Sequence, residues 1–370
     1  MSDLKRTPLH GQHRAGGSKL VPFAGWDMPV SVSGIIDEHQ AVRQAAGMFD
    51  VSHMGRFRLS GEGAPRALDY MTTGRASALD NGKFLYTMLL LESGGVIDDL
   101  LVGRESENVF LIVVNAANTD KDWEQMELVC ADLGGCRLEN LTDQYALVAL
   151  QGPQSRTILK KQLSDKDAGR LDKLDYYWMD RYKLLGEATV ISRTGYTGEL
   201  GYEIFVRAAL AGELWNDLLE AGVKPCGLGC RDTLRLELGY ALYGHELDSE
   251  HTPLEAGLHW TVDLTKEDFI GKAALVKQKE QGISTRLRGI VTSSAKQIPR
   301  PGYALRHESK EIANLVSGGP APSLGAGIGT AYLPAELAEP GTKLEMDLRR
   351  DRVEVEVVRP PFYRQGTVKS

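Results

Sequence analysis

The sequence predicts an α+β protein with a β-rich C-terminal part. Its 370 residues exceed what one hydrophobic core usually serves, so more than one domain is expected. Helical periodicities and short apolar runs of strand length alternate irregularly up to about residue 260. From about residue 286 onward, short β-rich runs are punctuated by proline and glycine, which is typical of a small β-barrel or sandwich.

The N-terminal elements follow from periodicity and turn residues. Residues 34–46 carry apolar side chains at helical spacing and stop at Gly47, a residue typical of a helix C-cap. Gly94 and Gly95 separate two apolar runs and indicate a hairpin turn. The strands predicted in this part of the chain are 57–60, 84–91, 96–102 and 109–115.

Three further helices are predicted beyond these strands. The first covers residues 118–133 and places Trp123, Met126 and Cys130 on one face. The others cover residues 210–220 and 228–238.

Composition and charge argue against several classes of protein. The formal net charge of −7 is unfavourable for a protein-wide nucleic-acid surface, and no apolar run is long enough to span a bilayer. The four cysteines form no CxxC pair, which is typical of reduced thiols in a cytosol-like compartment. The basic N-terminus lacks an apolar signal core. We therefore expect a cytoplasmic protein that binds neither nucleic acid nor membrane, with a mitochondrial-matrix location only if a transit peptide has been removed.

General catalytic motifs are absent from the sequence. Neither Lys83 nor Lys272 is followed by the Ser or Thr of a phosphate-binding loop, and Asp232 breaks a dinucleotide fingerprint. No HExxH or GxSxG motif occurs. His53 is a candidate general base, although a lone His beside a strand is more often a hydrogen-bonded structural residue. We expect neither a metal nor a nucleotide cofactor.

Two acidic positions are candidates for binding a ligand. The segment GGVIDDLLV puts Asp98 and Asp99 in mid-strand, where adjacent side chains face opposite sides. A buried strand carboxylate is costly unless it is paired or hydrogen-bonded, so one of the two is expected to be a solvated edge residue. Glu203 lies among apolar strand residues after a glycine-rich loop. The ligand candidates are Asp99 and Glu203.

The segment GLGCRDTLRLELG contributes a basic helix face. Arg231 and Arg235 are four residues apart and share that face, and Asp232 can pair with either.

Seven motifs occur along the chain in this order: PFAGW, FDVSHM, GGVIDD, ALQGP, GYTGE, GLGCRDTLRLE and the terminal PPFYR. Together, they resemble the aminomethyltransferase (T protein) family of the glycine cleavage system. The resemblance runs from about residue 7 to residue 364 in the family's order. One difference is Cys230, where Ala is common in the family.

The resemblance implies a function and a fold. The family moves a one-carbon unit from an aminomethyl group on the lipoyl arm of a partner, the lipoylated H protein, to the co-substrate tetrahydrofolate. Its products are 5,10-methylenetetrahydrofolate, ammonia and the reduced lipoyl arm. The implied fold is a three-domain cloverleaf around a central folate channel, with two α+β domains of antiparallel sheet and a C-terminal β-barrel. The implied domains are 1–53 plus 145–275, which is discontinuous and binds folate, 54–144 and 280–370.

The same resemblance assigns roles to individual residues. Asp99 matches the catalytic carboxylate near folate N5 and N10, and Glu203 matches the acceptor for the donor edge of the pterin. Arg231 and Arg364 match arginines that contact the substrate. Further folate-binding positions form the pocket wall: Met54, Tyr86, Val114, Asn115, Tyr196 and Trp260.

Two alternatives share this fold. A folate-dependent demethylase would keep the pterin pocket without needing a lipoyl protein. A non-catalytic folate-binding iron–sulfur assembly factor carries a Cys in the loop that spans residues 194–199, and this chain has none there.

Overall fold

The structure is a computed structural model that describes residues 4–370. Its strands are β1 Lys19–Phe23, β2 Trp26–Ser31, β3 Gly47–Asp50, β4 Gly55–Ser60, β5 Phe84–Leu90, β6 Val96–Ser106, β7 Val109–Val114, β8 Arg137–Asn140, β9 Tyr145–Gln151, β10 Met179–Leu184, β11 Glu187–Ser192, β12 Gly201–Arg207, β13 Lys224–Cys226, β14 Thr285–Thr292, β15 Ala304–His307, β16 Lys310–Ala321, β17 Ala326–Pro334, β18 Lys343–Leu348 and β19 Asp351–Val358. Its helices are α1 His10–Ala15, α2 Ile35–Gln44, α3 Ala64–Met71, α4 Thr119–Leu133, α5 Ser155–Lys160, α6 Asp165–Leu171, α7 Ala211–Glu220, α8 Leu228–Leu238 and α9 Lys272–Gln281. None of these helices, within residues 4–370, combines the length and apolar character needed to cross a bilayer.

Most strands belong to three sheets. A six-stranded sheet has the order β10-β11-β12-β9-β3-β13 and is antiparallel except for the parallel pair β3–β13. A five-stranded antiparallel sheet has the order β5-β6-β7-β4-β8. Strands β14–β19 form a closed barrel in which β14 pairs with both β17 and β19. The predicted α+β class with antiparallel sheets and a C-terminal barrel is confirmed.

The sheets draw on different parts of the chain. The six-stranded sheet combines β3 with strands between residues 145 and 226, whereas the five-stranded sheet uses residues 55–140 only. This distribution supports the division into 1–53 plus 145–275, 54–144 and 280–370, which we propose as the domain boundaries. Leu247, Leu254 and Phe269, from the C-terminal part of the discontinuous unit, pack with Met88 and Leu90 of β5.

The hairpin between β5 and β6 has its predicted turn. The amide N–H of Leu91 donates to the carbonyl of Gly95 at 2.9 Å, and Gly94 adopts φ +89°, a conformation that favours glycine. A Cβ on Gly95 would collide with the carbonyl of Ser249. Both glycines therefore let the hairpin tip dock closely on the 248–251 segment, which fixes the start of β6.

The predicted face of α4 also forms as expected. Met126 and Cys130 are buried in the core of the five-stranded sheet, and Trp123 packs edge-on against Phe57 with ring centroids 5.3 Å apart. Helix α4 therefore covers one face of the sheet that carries Asp98 and Asp99.

A buried ion-pair network joins α2, α8 and the barrel. Arg43 on α2 contacts Glu199 at 2.8 Å and Glu237 of α8 at 2.8 Å. The second carboxylate oxygen of Glu237 accepts the amide N–H of Ser323, in the loop between β16 and β17. The amide N–H of Tyr363, in the C-terminal segment, donates to the main-chain carbonyl of Glu237 at 2.8 Å. These contacts fix α8 between the six-stranded sheet and the barrel.

We predict that Arg43→Ala will strongly destabilise the protein. The side chains of Glu199 and Glu237 are at most 1% exposed, so they would remain buried without their cation. Breaking a buried pair in this way costs about 3–5 kcal/mol, which urea unfolding would measure. Arg137→Ala, which removes an ion pair on a 76% exposed side chain, is the control and should change little. Equal effects of the two substitutions would contradict this reading.

Candidate functional site

Strand β6 presents Asp99 beside three other predicted site residues. Tyr86 on β5 donates its hydroxyl to Asp99 Oδ2 at 2.9 Å. The side-chain amide of Asn115, just after β7, donates to Asp99 Oδ1 at 2.9 Å. The ring of Trp260 lies 5.8 Å from that of Tyr86. The sheet thus gathers Tyr86, Asp99, Asn115 and Trp260 into one group.

The pKa of Asp99 is raised above the ordinary value for an aspartate. Burial raises the pKa of Asp99 to about 7, and the neighbouring charge of Asp98 adds to the effect, while the hydrogen bonds from Tyr86 and Asn115 oppose it. At neutral pH the carboxyl is therefore partly protonated, and it can both accept and release a proton.

Asp98 is not a solvated edge residue, and that expectation was wrong. It is completely buried, because β6 lies between β5 and β7 and its outer face is covered by α4. Its carboxylate accepts the amide N–H of Asn115 at 3.0 Å, the Asn115 side chain at 2.9 Å and the side chain of Asn118. Hydrogen bonds rather than water stabilise this carboxylate.

An exposed aromatic surface adjoins Asp99. Trp260 is 62% exposed although it is a large apolar side chain. Its short helix, His259–Thr261, is held by a hydrogen bond of 2.9 Å from the Thr73 hydroxyl to the Thr261 carbonyl. Met54 is half-buried against the core between the two larger sheets. An aromatic face held in this way can stack on a flat ligand.

Glu203 lies in the middle of the six-stranded sheet. It sits on β12 opposite Ala149 of β9 and Ser192 of β11, and it is 7% exposed. The Thr194 hydroxyl donates to its Oε2 atom. No donor among residues 4–370 reaches the Oε1 atom, which leaves an acceptor available to a ligand.

The two arginines of α8 have different environments. Arg235 pairs with Asp232 at 2.9 Å and with Glu246 at 2.8 Å, so it is committed to the structure. Arg231 stacks over the ring of Tyr196 at 4.7 Å, and its buried Nη1 atom has no hydrogen-bond partner within residues 4–370. Burial lowers the pKa of Arg231, although Glu203 and Tyr196 oppose this. Arg231 is therefore a cation available to a ligand.

Two tyrosines lie near the charged residues of the site. Tyr177 lies within electrostatic range of both Glu203 and Asp99, and Tyr196 lies within range of both Asp99 and Arg231. Burial raises the pKa of both phenols well above the ordinary value, so they stay neutral and can donate hydrogen bonds. Neutral phenols therefore lie near all three charged candidates, Asp99, Glu203 and Arg231.

Tyr177 is a residue of this site that the sequence motifs did not predict. It adopts φ +66°, which is uncommon for an aromatic residue and costs of order 1–3 kcal/mol. The adjacent Tyr176 packs edge-on against it at 4.7 Å. The doubled tyrosine between two polar segments was the available signal.

Two predicted binding residues do not join this arrangement through their side chains. Val114 is completely buried in the core of the five-stranded sheet, so it offers a ligand no side-chain surface. Arg364 is exposed in the C-terminal segment, and its side chain makes no hydrogen bond within residues 4–370. Their folate-binding roles remain predictions.

His53 is buried and lies close to the charges of Asp50, Arg56 and Arg231. Burial lowers the pKa of His53 to about 4, and the two arginines add to this while Asp50 opposes it. The imidazole is therefore neutral at physiological pH.

Glu38, Cys226 and Cys230 form a buried group with metal-ligand spacing. The Glu38 carboxylate already accepts the amide N–H groups of Val32 at 2.7 Å, Ser33 at 2.9 Å and Gly227 at 2.9 Å. Burial raises the pKa of the Cys230 thiol well above its usual range. The group fits a structural clamp between α2 and α8 better than a metal site.

Comparison with known proteins gives consistent results. A family model described as the GCVT N-terminal domain matches residues 9–266, and one described as the glycine cleavage T-protein C-terminal barrel domain matches residues 285–364. A curated relative from Desulfitobacterium hafniense (strain Y51), named aminomethyltransferase, is 44% identical over 99% of this chain and 100% of its own length. A relative of the same name from Halothermothrix orenii is 44% identical over 97% of this chain and 100% of its own.

A solved structure agrees with these matches. The glycine cleavage system aminomethyltransferase T from Bartonella henselae superposes with a TM-score of 0.91 at 32% identity, and 99% of each chain is covered.

We predict that Tyr86→Phe will raise the pKa of Asp99 above its value of about 7. The substitution removes a hydrogen bond that favours the ionised carboxylate, so the pKa should rise by about one pH unit. A carbon-13 NMR titration of labelled aspartate carboxyls would measure it. Tyr202→Phe is the control, because it removes a phenol of β12 that accepts a hydrogen bond from Arg156 of α5. An unchanged or lower pKa in Tyr86→Phe would show that Tyr86 does not stabilise the carboxylate.

Proposed function

The chain belongs to the glycine cleavage T-protein family, and we propose that it transfers a one-carbon unit from the lipoyl arm of H protein to tetrahydrofolate. The family matches and the 44% identical relatives make it an enzyme of the aminomethyltransferase class. The identity of the donor and the acceptor is our proposal. The observation that supports it most is the partly ionised Asp99 beside an open aromatic surface.

The proposed reaction makes a cation next to Asp99. The lone pair of the aminomethyl nitrogen expels the lipoyl sulfur as a thiolate and leaves an iminium carbon. N5 of tetrahydrofolate attacks that carbon and loses a proton. N10 then attacks the same carbon and expels ammonia, which closes the methylene bridge. A carboxylate fixed beside the iminium stabilises the developing positive charge.

Asp99 suits this role for two reasons. When ionised, it places a negative charge in a partly buried environment, where its field is stronger than in solution. Because its pKa is about 7, it can also take the proton that N5 or N10 loses and return it to the leaving ammonia. Tyr86 and Asn115 hold its two oxygens in place while it does so.

Glu203 and Arg231 are the proposed determinants of folate binding. The free acceptor on Glu203 suits the donor edge of a pterin, and Arg231 suits an anionic or carbonyl group of the same substrate. Trp260 offers an exposed aromatic face for stacking. Bringing both carriers together in one site lowers the entropic barrier to transfer.

The named relatives favour this reaction over the two alternatives. Their names describe aminomethyl transfer rather than demethylation or cluster assembly. The cytoplasmic location and the absence of metal and nucleotide cofactors stay predictions.

The function test measures methylenetetrahydrofolate formation with lipoylated H protein carrying the aminomethyl group. We predict that product forms with this partner and not with unlipoylated H protein. Asp99→Asn should lower turnover at least about a hundredfold, or about 2.7 kcal/mol, because the lost charge matters more in the transition state than in the folate complex. Folate affinity should fall much less.

Asp120→Asn is the matched control, since Asp120 is exposed on α4. It should keep wild-type turnover. Product formation without the lipoyl group would refute the proposed donor, and wild-type turnover in Asp99→Asn would remove this residue from the chemistry.

We predict that Glu203→Gln will weaken tetrahydrofolate binding. The amide replaces an acceptor oxygen with a donor that faces the ligand's own donors, which should cost about 1–3 kcal/mol of binding free energy. Calorimetry measures the affinity, and Glu213→Gln, an exposed position on α7, is the control. Equal affinities in the two variants would exclude Glu203 from the binding site.

A further inference from the structure

Asp122 is a buried acid that the proposed reaction does not use. It lies in α4 and is completely buried, and neither of its carboxyl oxygens has a hydrogen-bond donor within residues 4–370. It shares the buried face of α4 with Met126, which packs with Leu100 on the side of β6 that carries Asp98. The charges of Asp98 and, more weakly, Asp99 act on its carboxyl group. The nearby cation is Lys121, whose ammonium group donates to the hydroxyl of Tyr243 at 2.8 Å. Three carboxyl groups thus gather where α4 covers β6.

These three carboxyl groups differ in their hydrogen bonds. Asp98 accepts three donors, namely the amide and the side chain of Asn115 and the side chain of Asn118. Asp99 accepts one each from Tyr86 and Asn115. Asp122 accepts none. A buried carboxylate without donors is costly, so the negative charge belongs on Asp98 and the proton on Asp122.

In its protonated form, Asp122 is a hydrogen-bond donor. A protonated carboxyl has one O–H, and the group facing Asp122 is the Asp98 carboxylate, an acceptor. Burial, followed by the influence of Asp98, raises the pKa of Asp122 to about 10, in agreement with a neutral acid at physiological pH.

The Asn115 amide connects this pair to the candidate catalytic residue. Its nitrogen lies 2.9 Å from an oxygen of Asp98 and 2.9 Å from an oxygen of Asp99, so it bridges the two carboxyls. Its orientation depends on Asp98 keeping its acceptor oxygens in place.

We propose that Asp122 and Asp98 share one proton, held on Asp122, and that this pair fixes the Asn115 amide against Asp99. Asp122 is then a positioning residue that acts on Asp99 through Asp98 and Asn115. The catalytic consequence rests on the proposed function of Asp99, whereas the shared proton does not. The other titratable groups facing Asp99 are the neutral phenols of Tyr86, Tyr177 and Tyr196.

The first test measures the proton itself and needs no substrate. In the unfolded chain Asp122 ionises at its ordinary pKa, whereas in the folded chain it keeps its proton. Folding then binds an extra proton, so stability falls as pH rises from about 5 to about 9. Asp122→Asn cannot ionise. For each pH unit in this range, the unfolding equilibrium constant of the wild type should rise by a factor about ten times larger than that of Asp122→Asn.

The control for this test is Asp120→Asn, an exposed neighbour on the same helix. It should leave the pH dependence of unfolding unchanged. If Asp122→Asn also leaves it unchanged, Asp122 is ionised in the folded protein and the shared proton is refuted.

The second test separates positioning from mere structural support. Asp122→Asn keeps a neutral donor facing Asp98, so it should retain wild-type turnover and the wild-type pH profile. Asp122→Ala removes the donor and should lower turnover up to about 100-fold, with a shifted pH profile and a nearly unchanged Kd for tetrahydrofolate. Equal turnover in the two variants, whether high or low, would overturn the positioning role. Failure of the proposed reaction would instead appear as no product in the wild type.

Discussion

Buried ion pairs on two sides of α8 fix this helix between the six-stranded sheet and the barrel. Glu237 of this helix pairs with Arg43 of α2, and Arg235 pairs with Glu246, which in turn accepts the hydroxyl of Thr330 in the barrel at 2.5 Å. All of these charged groups are nearly or completely removed from water. Because an unpaired buried charge is strongly unfavourable, only one placement of α8 relative to the barrel and the six-stranded sheet satisfies all of them.

That constraint also shapes the candidate site. Arg231 is on the same helix, one turn before Arg235, and it is the arginine that the network leaves unpaired. Fixing α8 therefore fixes the position of an available cation opposite Glu203 and against Tyr196. The charge of Arg231 is therefore preorganised, because contacts outside the site hold α8 in place.

Local patterns were enough to predict the elements that carry the site. The paired glycines at 94 and 95 indicated the hairpin, and the doubled aspartate placed Asp99 on its second strand. The burial of Asp98 could not be predicted in this way, because it depends on the packing of α4 over β6. Neither periodicity nor motif spacing indicates which helix covers which sheet.

Long-range partners account for the other gaps. Arg43 and Glu199 are 156 residues apart in sequence, and neither stands out from its local context. Asp232 could have paired with either arginine of α8, and it pairs with Arg235. Arg235 is also bound in the core by Glu246 and by Ser317 of the barrel. Pairings of this kind follow from tertiary packing, so a single sequence cannot rank them.

The opposite charges of the site remain separate, and this separation is what makes them available for chemistry. Asp99 is held by Tyr86 and Asn115 on the five-stranded sheet, whereas Arg231 is held against Tyr196 by α8. A direct ion pair between Asp99 and Arg231 would satisfy both groups and would lower the pKa of the carboxyl. Because rigid elements keep them apart across neutral phenols, Asp99 retains a pKa near neutrality and Arg231 retains an unused donor. In the reaction proposed above, a substrate that lies between them would complete the interactions of both groups, and its binding energy would then act at the reacting atoms.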